Sequence, residues 1–405
     1  MAADRTEDLL ELEIGPPVHG GHCLARHEGR VVFVRHALPG ERALVRVGDC
    51  RRRGYWRGDA VEILTPSPDR VPSVWPEAGP DGVGGGELAH VARPAQLVWK
   101  RDVLVESLVR IGGLDASHPL LSGLEVEAVP GEPADGTGTR TRIELTVDAA
   151  GRAGMHRYRS HEVVPLQRMP LAVEEITALG LLERRWPAGV RLDAVAPSLG
   201  DPVLLVDGEP VRGGRTHVRE RVEVAGVEHR FRLAASGFWQ VHRGAPALLA
   251  EGVLEAARPE PGARVVDAYS GAGLLSVPLA HAVGESGHVL AVEGAEQAGR
   301  DARRNAHGLP QLELRTADVG AALADLSERP DVVVLDPPRA GAGQAVVHRI
   351  ADLGPARVVY VACDPAALAR DARVLGERGY RMVALRGLDL FPHTHHVEAI
   401  ATFEP

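Results

Sequence analysis

From Gly244 to the C-terminus the sequence alternates between helix-like and strand-like segments, and this alternation constrains the fold more than any other feature. "APALLAEGVLEAA" is followed by "RVVDAY", a glycine-rich turn, a helix, "HVLAVEG", "AEQAGRDARRNAHG", "LELRTAD", a helix, "DVVVLDPPR", a helix, "RVVYVACDP" and a last helix. The chain closes on two strand-like runs, "YRMVALRGLDLF" and "HHVEAIATFEP". Parallel strands need long crossovers, and helices supply them, so this pattern predicts a doubly wound parallel sheet. Ligands of such sheets lie beyond the carboxyl ends of the strands. The residues at those ends are therefore the candidate functional groups.

The rest of the chain reads differently. Up to Pro68 it is a series of short strands, "LELEIG", "HCLARHEGRVVFVRH", "ERALVRVGD" and "GDAVEILTP", with turns at Gly20–Gly21 and Pro39–Gly40. That suits a small barrel of the oligonucleotide-binding type. Within it, "CRRRGYWRG" (Cys50–Gly58) reads as a basic, aromatic hairpin, either a solvated turn or a nucleic-acid contact. A Pro/Gly-rich stretch, Thr65–Val91, reads as a loop or linker, and Arg93–Gly113 has helical spacing ending in a Gly-Gly stop. From Leu121 to Phe238 the pattern is strand-like. Arg140, Arg142, Arg152, Arg157 and Arg159, with His156 and His161, make it locally basic: a solvated sheet face or an RNA-binding face. The fold class expected is thus multi-domain α/β: an OB-like β-barrel over residues 1–68, a linker helix and central β-rich domain over 69–240, and a Rossmann-like domain over 241–405.

Composition removes several classes of function. A chain of 405 residues exceeds one ordinary core. Three cysteines are too few for a disulfide framework and point to a reducing, cytoplasmic setting. No apolar run is long enough to span a bilayer, and the acidic start "MAADRTEDLLELEIG" lacks a signal-peptide layout, so no membrane partner is expected. A net charge of −9 argues against a surface coated for non-specific nucleic-acid binding.

At the strand ends the chemistry becomes specific. In "VVDAYSGAGLLSVPLA", Gly271 and Gly273 let the backbone approach a ligand closely. Asp267 precedes them, Glu293 ends the next strand, where an acid suits two ribose hydroxyls, and Asp318 ends the third. Alone, each carboxylate is as readily a helix cap as a cofactor ligand; in register they favour a nucleotide-type cofactor, and dinucleotide sites use the same glycine turn and ribose-binding acid as adenosyl-methionine sites. Asp336, in "VVVLDPPRAG", stands where a carboxylate can hold a substrate base or an amine. Cys363 ends the fifth strand, and the helix after it aims its positive end at the thiol, which predicts a thiolate. Its bland reading is a buried structural cysteine. Glu398 follows His393, His395 and His396; a metal site is the weaker reading, since adjacent residues on a strand point opposite ways.

In "FWQVH", "DAYSGAG", "VEG", "LDPPRAG", "VYVACDPAALARD" and "LFPHTHHVE", the C-terminal half resembles the RNA uracil-5-methyltransferases, and "GGHCLARHEGRVVFVRHALPGE" with "PSPDRV" resembles the TRAM barrel that many of them carry. The resemblance spans nearly the whole chain. It implies S-adenosyl-L-methionine as cofactor, an RNA partner (ribosomal more than transfer RNA), and methylation of uridine carbon 5. It implies Cys363 as nucleophile, Glu398 as base, and Gln240, Tyr269, Glu293, Asp318 and Asp336 as cofactor-binding positions. Two departures stand out. The cysteines that hold an iron–sulfur cluster in the ribosomal branch are missing, with Met169 where the fourth would fall, so no cluster and no metal is expected. Leu274 replaces a usual Asn, removing one polar cofactor contact. The alternatives are a transfer-RNA methyltransferase or a non-catalytic RNA-binding or assembly protein; a nicotinamide dehydrogenase would leave "DPPR" and "CDP" without a role.

Overall fold

The computed structural model describes residues 9–49, 54–211 and 213–405. Its first unit is a closed barrel of β1 (Leu9–Val18), β2 (His22–His27), β3 (Arg30–Arg35), β4 (Arg42–Asp49) and β5 (Tyr55–Thr65), in the order β1-β2-β3-β5-β4. The two-residue period of a strand sends Leu12, Ile14, Cys23, Ala25, Val32, Val34, Ala43 and Val45 into the barrel core. Of the basic, aromatic stretch, Cys50–Arg53 lies outside the described residues, while Tyr55 and Trp56 open β5.

The Pro/Gly-rich stretch is an ordered wrap that ties the barrel to the C-terminal body. Val71 N–H donates to His90 O, Leu88 N–H donates to His393 O, and Trp75 is buried. Helix α1 (Arg93–Arg110) follows, with Gln96, Trp99, Lys100, Val103, Leu104, Ser107 and Leu108 buried at helical spacing. It stops at Gly112–Gly113, where Gly113 takes φ +75°.

After α2 (Pro119–Ser122) and the short strand β6 (Val126–Ala128) comes an antiparallel sheet. Its strands are β7 (Arg142–Val147), β8 (Ala153–His156), β9 (Val163–Pro165), β10 (Arg191–Val195), β11 (Val203–Val206) and β12 (Glu209–Pro210), with α3 (Glu174–Thr177) between β9 and β10. A separate hairpin, β13 (His217–Val224) and β14 (Val227–Ala234), follows it.

The C-terminal body is the doubly wound unit. In chain order it contains α4 (Ala245–Ala257), β15 (Arg264–Ala268), α5 (Ser276–Val283), β16 (His288–Glu293), α6 (Glu296–Asn305), β17 (Leu312–Thr316), α7 (Val319–Ala324), β18 (Val332–Leu335), α8 (Gln344–Leu353), β19 (Arg357–Ala362), α9 (Pro365–Glu377), β20 (Arg381–Asp389) and β21 (Glu398–Glu404). Its sheet has the order β17-β16-β15-β18-β19-β21-β20-β6. Strands β15 to β19 are parallel, and β21 runs antiparallel between β19 and β20. Strand β6, from far upstream, pairs with β20 and completes the edge. Among the described residues, no helix is long and apolar enough to cross a membrane.

One buried ion cluster locks α1 onto this body. The Lys100 ammonium is fully buried and donates to Asp389 Oδ1 at 2.5 Å and to Phe391 O at 2.9 Å. Arg93 donates to the other oxygen of Asp389 and bridges to Glu132 at 2.6 Å. Burial alone would strip the charge from Lys100 and lowers it to about 8, while Asp389 acts to keep it protonated. Asp389 ends β20, so the cluster fixes the segment that leads to Glu398.

Candidate active site at the carboxyl edge of the sheet

The register of the ladders brings the strand-end residues into one row. Ala268 pairs with Val292 on one side and Leu335 on the other, so Tyr269, Glu293 and Asp336 sit at adjoining strand ends. Glu293 pairs with Thr316, two residues before Asp318. Ala362, the last residue of β19, pairs with Ala399, so Cys363 just past that strand end lies close to Glu398, the first residue of β21. Cys363 and Glu398, 35 positions apart in the chain, therefore meet because β21 enters antiparallel beside β19.

Their electrostatics follow from that contact. Burial pushes the Cys363 thiol up to about 12; Glu398, Asp336 and Asp364 add to this, and only Arg339 opposes it. Burial, with Asp336 beside it, likewise holds the Glu398 carboxyl well above the usual range. Asp336, partly open to the cleft, is pushed up to about 7 by loss of hydration. The thiolate expected from the helix dipole is thus not the resting form. The dipole is already satisfied by Asp364, whose Oδ1 accepts from Ala367 N–H at 2.8 Å, and the acidic neighbours outweigh what is left.

The glycine turn after β15 is pinned from beside it. Glu293 Oε2 accepts from Gly271 N–H at 2.8 Å and its Oε1 accepts from Ala295 N–H at 2.6 Å. Both oxygens keep acceptor capacity towards the cleft. Gly271 has φ +56° and no atom within 4 Å of where a Cβ would stand; Gly273 has φ +93°. Tyr269 is itself left-handed, at φ +65°, and burial with Asp318 and Asp371 raises its hydroxyl to about 12. Asp318 caps α7, its Oδ1 accepting from Ala321 N–H at 2.9 Å. The capping reading of Asp318 is therefore realised, and its other oxygen remains exposed. Asp267 is buried beneath the turn and accepts from the Ser276 hydroxyl. Burial takes it to about 7, against the Ser276 bond and with Asp336 and Glu293 adding to it.

The "DPPRAG" loop owes its shape to α9. Asp371 Oδ2 accepts from Ala342 N–H at 2.8 Å and from the Tyr360 hydroxyl at 2.7 Å. Gly341 sits at φ +86°, where a Cβ would come within 2.8 Å of that same oxygen. Gln240 stands apart from the row: it is buried after β14, beside Trp239, and among the described residues no hydrogen bond joins it to the strand-end groups.

The histidines form a wall rather than a metal site. His395 and His396 precede β21, and their rings lie 4.1 Å apart, so the premise that they alternate across a strand does not hold. His396 Nε2 meets Arg339 Nη2 at 3.1 Å; burial, with His395 and Arg339, lowers it to about 3, so it accepts from the guanidinium. His393 is taken up by Gln96 Nε2 at 3.1 Å and Asp135 O at 2.7 Å. Among the described residues no group of three or more His, Cys, Asp or Glu side chains could hold a metal ion. Met169, at the position of a cluster cysteine, is buried in the apolar core of the central sheet.

Sequence reasoning missed the barrel's part in this edge. His19, in the turn between β1 and β2, bonds through Nε2 to Asp364 Oδ2 at 2.9 Å, next to Cys363. Gly21, at φ +76°, packs so closely that a Cβ would lie 3.2 Å from the Cβ atoms of Glu87 and His395. The only signal was the Gly20–Gly21 pair, which reads equally well as an ordinary turn.

Residues 9–61 match the TRAM domain family, and residues 322–404 match the tRNA (uracil-5-)-methyltransferase family. The chain is 40% identical to an uncharacterized RNA methyltransferase of Streptomyces avermitilis, covering 98% of both chains. It is 32% identical to the 23S rRNA (uracil(1939)-C(5))-methyltransferase of Alkalilimnicola ehrlichii, over 98% of this chain and 96% of that one. Among solved structures, the tRNA (uracil-54, C5)-methyltransferase of Pyrococcus abyssi in complex with S-adenosyl-L-homocysteine superposes with a TM-score of 0.69 at 23% identity, covering 96% of this chain and 99% of that one, and so shares its fold.

Proposed function

This chain belongs to the RNA uracil-5-methyltransferase family, and from that premise we propose that Cys363 and Glu398 methylate carbon 5 of a uridine through a covalent adduct at carbon 6. The observation that carries the reading is their proximity where β19 ends beside the start of the antiparallel β21. Carbon 5 of uracil is a weak nucleophile. As the Cys363 thiol gives its proton to the neighbouring carboxylates, Asp336 in its ionised form being the available acceptor near neutral pH, its sulfur adds to carbon 6, forming a C–S bond and driving the ring electrons onto carbon 5 and its neighbouring carbonyl. Once carbon 5 carries the added methyl group, Glu398, as carboxylate, takes the remaining proton from carbon 5. The C–H electrons re-form the C5–C6 double bond and the thiolate departs. A carboxyl held high by burial suits a base that must keep that proton briefly near neutral pH. The uridine has to leave its stack to reach this edge.

The strand-end residues also fit S-adenosyl-L-methionine. Asp267 Oδ1 and Ser270 Oγ are buried without a partner among the described residues, Gly271 faces open space, and the acidic row of Glu293, Asp318 and Asp336 suits a cationic ligand with ribose hydroxyls. When bound, the cofactor supplies the methyl group that carbon 5 accepts. Tyr269, Glu293, Asp318 and Asp336 are the residues that would hold it, with Gly271 and Gly273 leaving room for it; Gln240 would have to reach it from behind the row.

For the substrate the reading commits to ribosomal RNA. A relative at 32% identity named as a 23S rRNA methyltransferase supports it. Transfer RNA is the second reading, favoured by the family matched at residues 322–404. Incubation of the protein and labelled cofactor with both RNAs, followed by mapping of 5-methyluridine, decides between them. Cys363→Ala is expected to abolish methyl transfer while RNA binding persists. Glu398→Gln is expected to accumulate a denaturant-resistant protein–RNA species. Full turnover by Cys363→Ala would end the covalent mechanism.

A further inference from the structure

The hairpin β13–β14 has a role that the strand-end chemistry does not use. Its inward residues Val218, Val222, Phe231 and Leu233 are buried in the core, so the alternating residues face solvent. That outer face carries two guanidinium pairs, Arg219 with Arg232 and Arg221 with Arg230 directly across the two strands, and ends at the turn in an acidic pair, Glu223 with Glu228. Like charges opposed on a sheet are destabilising, and here they occur on consecutive rungs of a chain whose net charge is −9.

Helix α6 adds to the same surface. Two adjoining cavities of about 680 and 690 Å³ share Leu199, Arg219, Arg230 and Arg232, and the second is also lined by Arg303 and Arg304 from the last turn of α6. Carboxylates neutralise only part of this. Glu228 bonds Arg230 at 2.7 Å and lies 3.9 Å from Arg221, Asp301 pairs with Arg304 at 3.0 Å, and Asp201 pairs with Arg215 at 2.9 Å. Arg219, Arg232 and Arg303 have no ion pair among the described residues; Arg303 donates instead to the Thr316 hydroxyl at 2.8 Å. Burial, with Arg232 and Arg304 close by, lowers His217, so a neutral imidazole can accept from Arg304 at 3.3 Å and bring the cations together.

The position matters as much as the charge. Asp301 Oδ2 accepts from Ala234 N–H at 2.9 Å and Asn305 Oδ1 accepts from Arg232 N–H at 2.8 Å, fixing β14 along α6. Helix α6 begins just after Glu293 at the strand-end row and is 10 residues long, so the Arg groove lies about one helix length, roughly 15 Å, from that row. Successive rungs on one face of a strand repeat about every 7 Å, comparable with the spacing of phosphates along a single strand.

We propose that this arginine-lined groove, formed by the outer face of β13–β14 and the end of α6, is a second RNA contact surface that grips the phosphate backbone of the substrate away from the target uridine. The proposal rests on the RNA-methyltransferase reading. It is tested with the double variant Arg219→Gln/Arg232→Gln and deproteinised 23S ribosomal RNA, measuring affinity between 50 and 200 mM salt. Each lost phosphate contact removes about 0.7–0.9 from the slope of log K against log salt. The double variant should therefore show a slope shallower by about 1.4–1.8 and weaker binding, while Arg219→Lys/Arg232→Lys keeps the wild-type slope. The melting temperature of the Gln variant should be no lower than wild type, since that substitution removes a like-charge pair. Wild-type affinity and slope in the Gln variant would overturn the groove alone, even if an acidic protein were later found there. Absence of any salt-dependent binding by the wild-type protein would overturn the RNA reading and the groove with it.

Discussion

The ionisation of Cys363 is the most exposed point of the mechanism, and it can be measured without RNA. Burial and the neighbouring carboxyls hold this thiol at about 12, where an ordinary cysteine stands at 9.0. At pH 7.5 that difference of three leaves about a thousandfold less thiolate. A thiolate of higher pKa is also more nucleophilic, with a Brønsted slope of about 0.4–0.5, which returns roughly 16- to 32-fold. Alkylation of Cys363 by iodoacetamide should therefore run roughly 30- to 60-fold slower than that of a free thiol, with a rate that keeps climbing above pH 10. The assay is mass spectrometry of the peptide carrying Cys363, which separates it from Cys23, a residue buried in the barrel. Asp336→Asn removes one of the negative neighbours and should move the pH profile downward. A wild-type profile with its midpoint near 9, or one that Asp336→Asn leaves in place, would refute the argument that the acidic edge controls this thiol.

Lys100→Met removes one of the two cations on the buried Asp389 and should cost about 3–5 kcal/mol, read as a lowered melting temperature; an unchanged melting temperature would show that Arg93 alone suffices. Asp336 is raised to about 7, so its favourable contribution to stability is complete below the ordinary carboxyl range and is lost as pH rises through 7. Asp336→Asn should accordingly stabilise the protein more at pH 8 than at pH 5, as followed by thermal melts, while losing methyl transfer. Gly341→Val forces a branched side chain into φ +86° against Asp371, at about 1–3 kcal/mol for the backbone alone. It should cut kcat by displacing Asp336, and a variant with native kcat would show that the loop tolerates the shift.

The strand ends were legible because a parallel sheet puts its ligand side where Val-rich runs stop, and glycine, acid and cysteine at such stops are uncommon without a task. What local patterning could not carry was long-range pairing. Nothing in "VEA" at Val126–Ala128 announces a partner at Gly387–Asp389. Lys100 read as one more residue of an amphipathic helix, although it faces the interior. The charge state of Cys363 is hidden from the local sequence for the same reason: the helix that follows it is local and visible, whereas Asp336 and Glu398 arrive from other strands. His395 and His396 were assigned to a strand that begins at Glu398.

The ion cluster around Lys100 also sets an order of events during synthesis. Its lysine and its aspartate are separated by 289 positions. At about 5–20 residues per second, the ammonium leaves the ribosome roughly 15–60 s before the carboxylate that must accompany it into the interior. The barrel, whose strands are contiguous, can close in that interval. Helix α1 cannot dock through this pair until Asp389 is made, and Glu398 comes only nine residues after Asp389. The nascent chain can thus hold a closed N-terminal barrel while Cys363 still lacks Glu398 beside it and α1 still lacks its buried anchor, so that the proposed site is assembled only after β20 and β21 have been made.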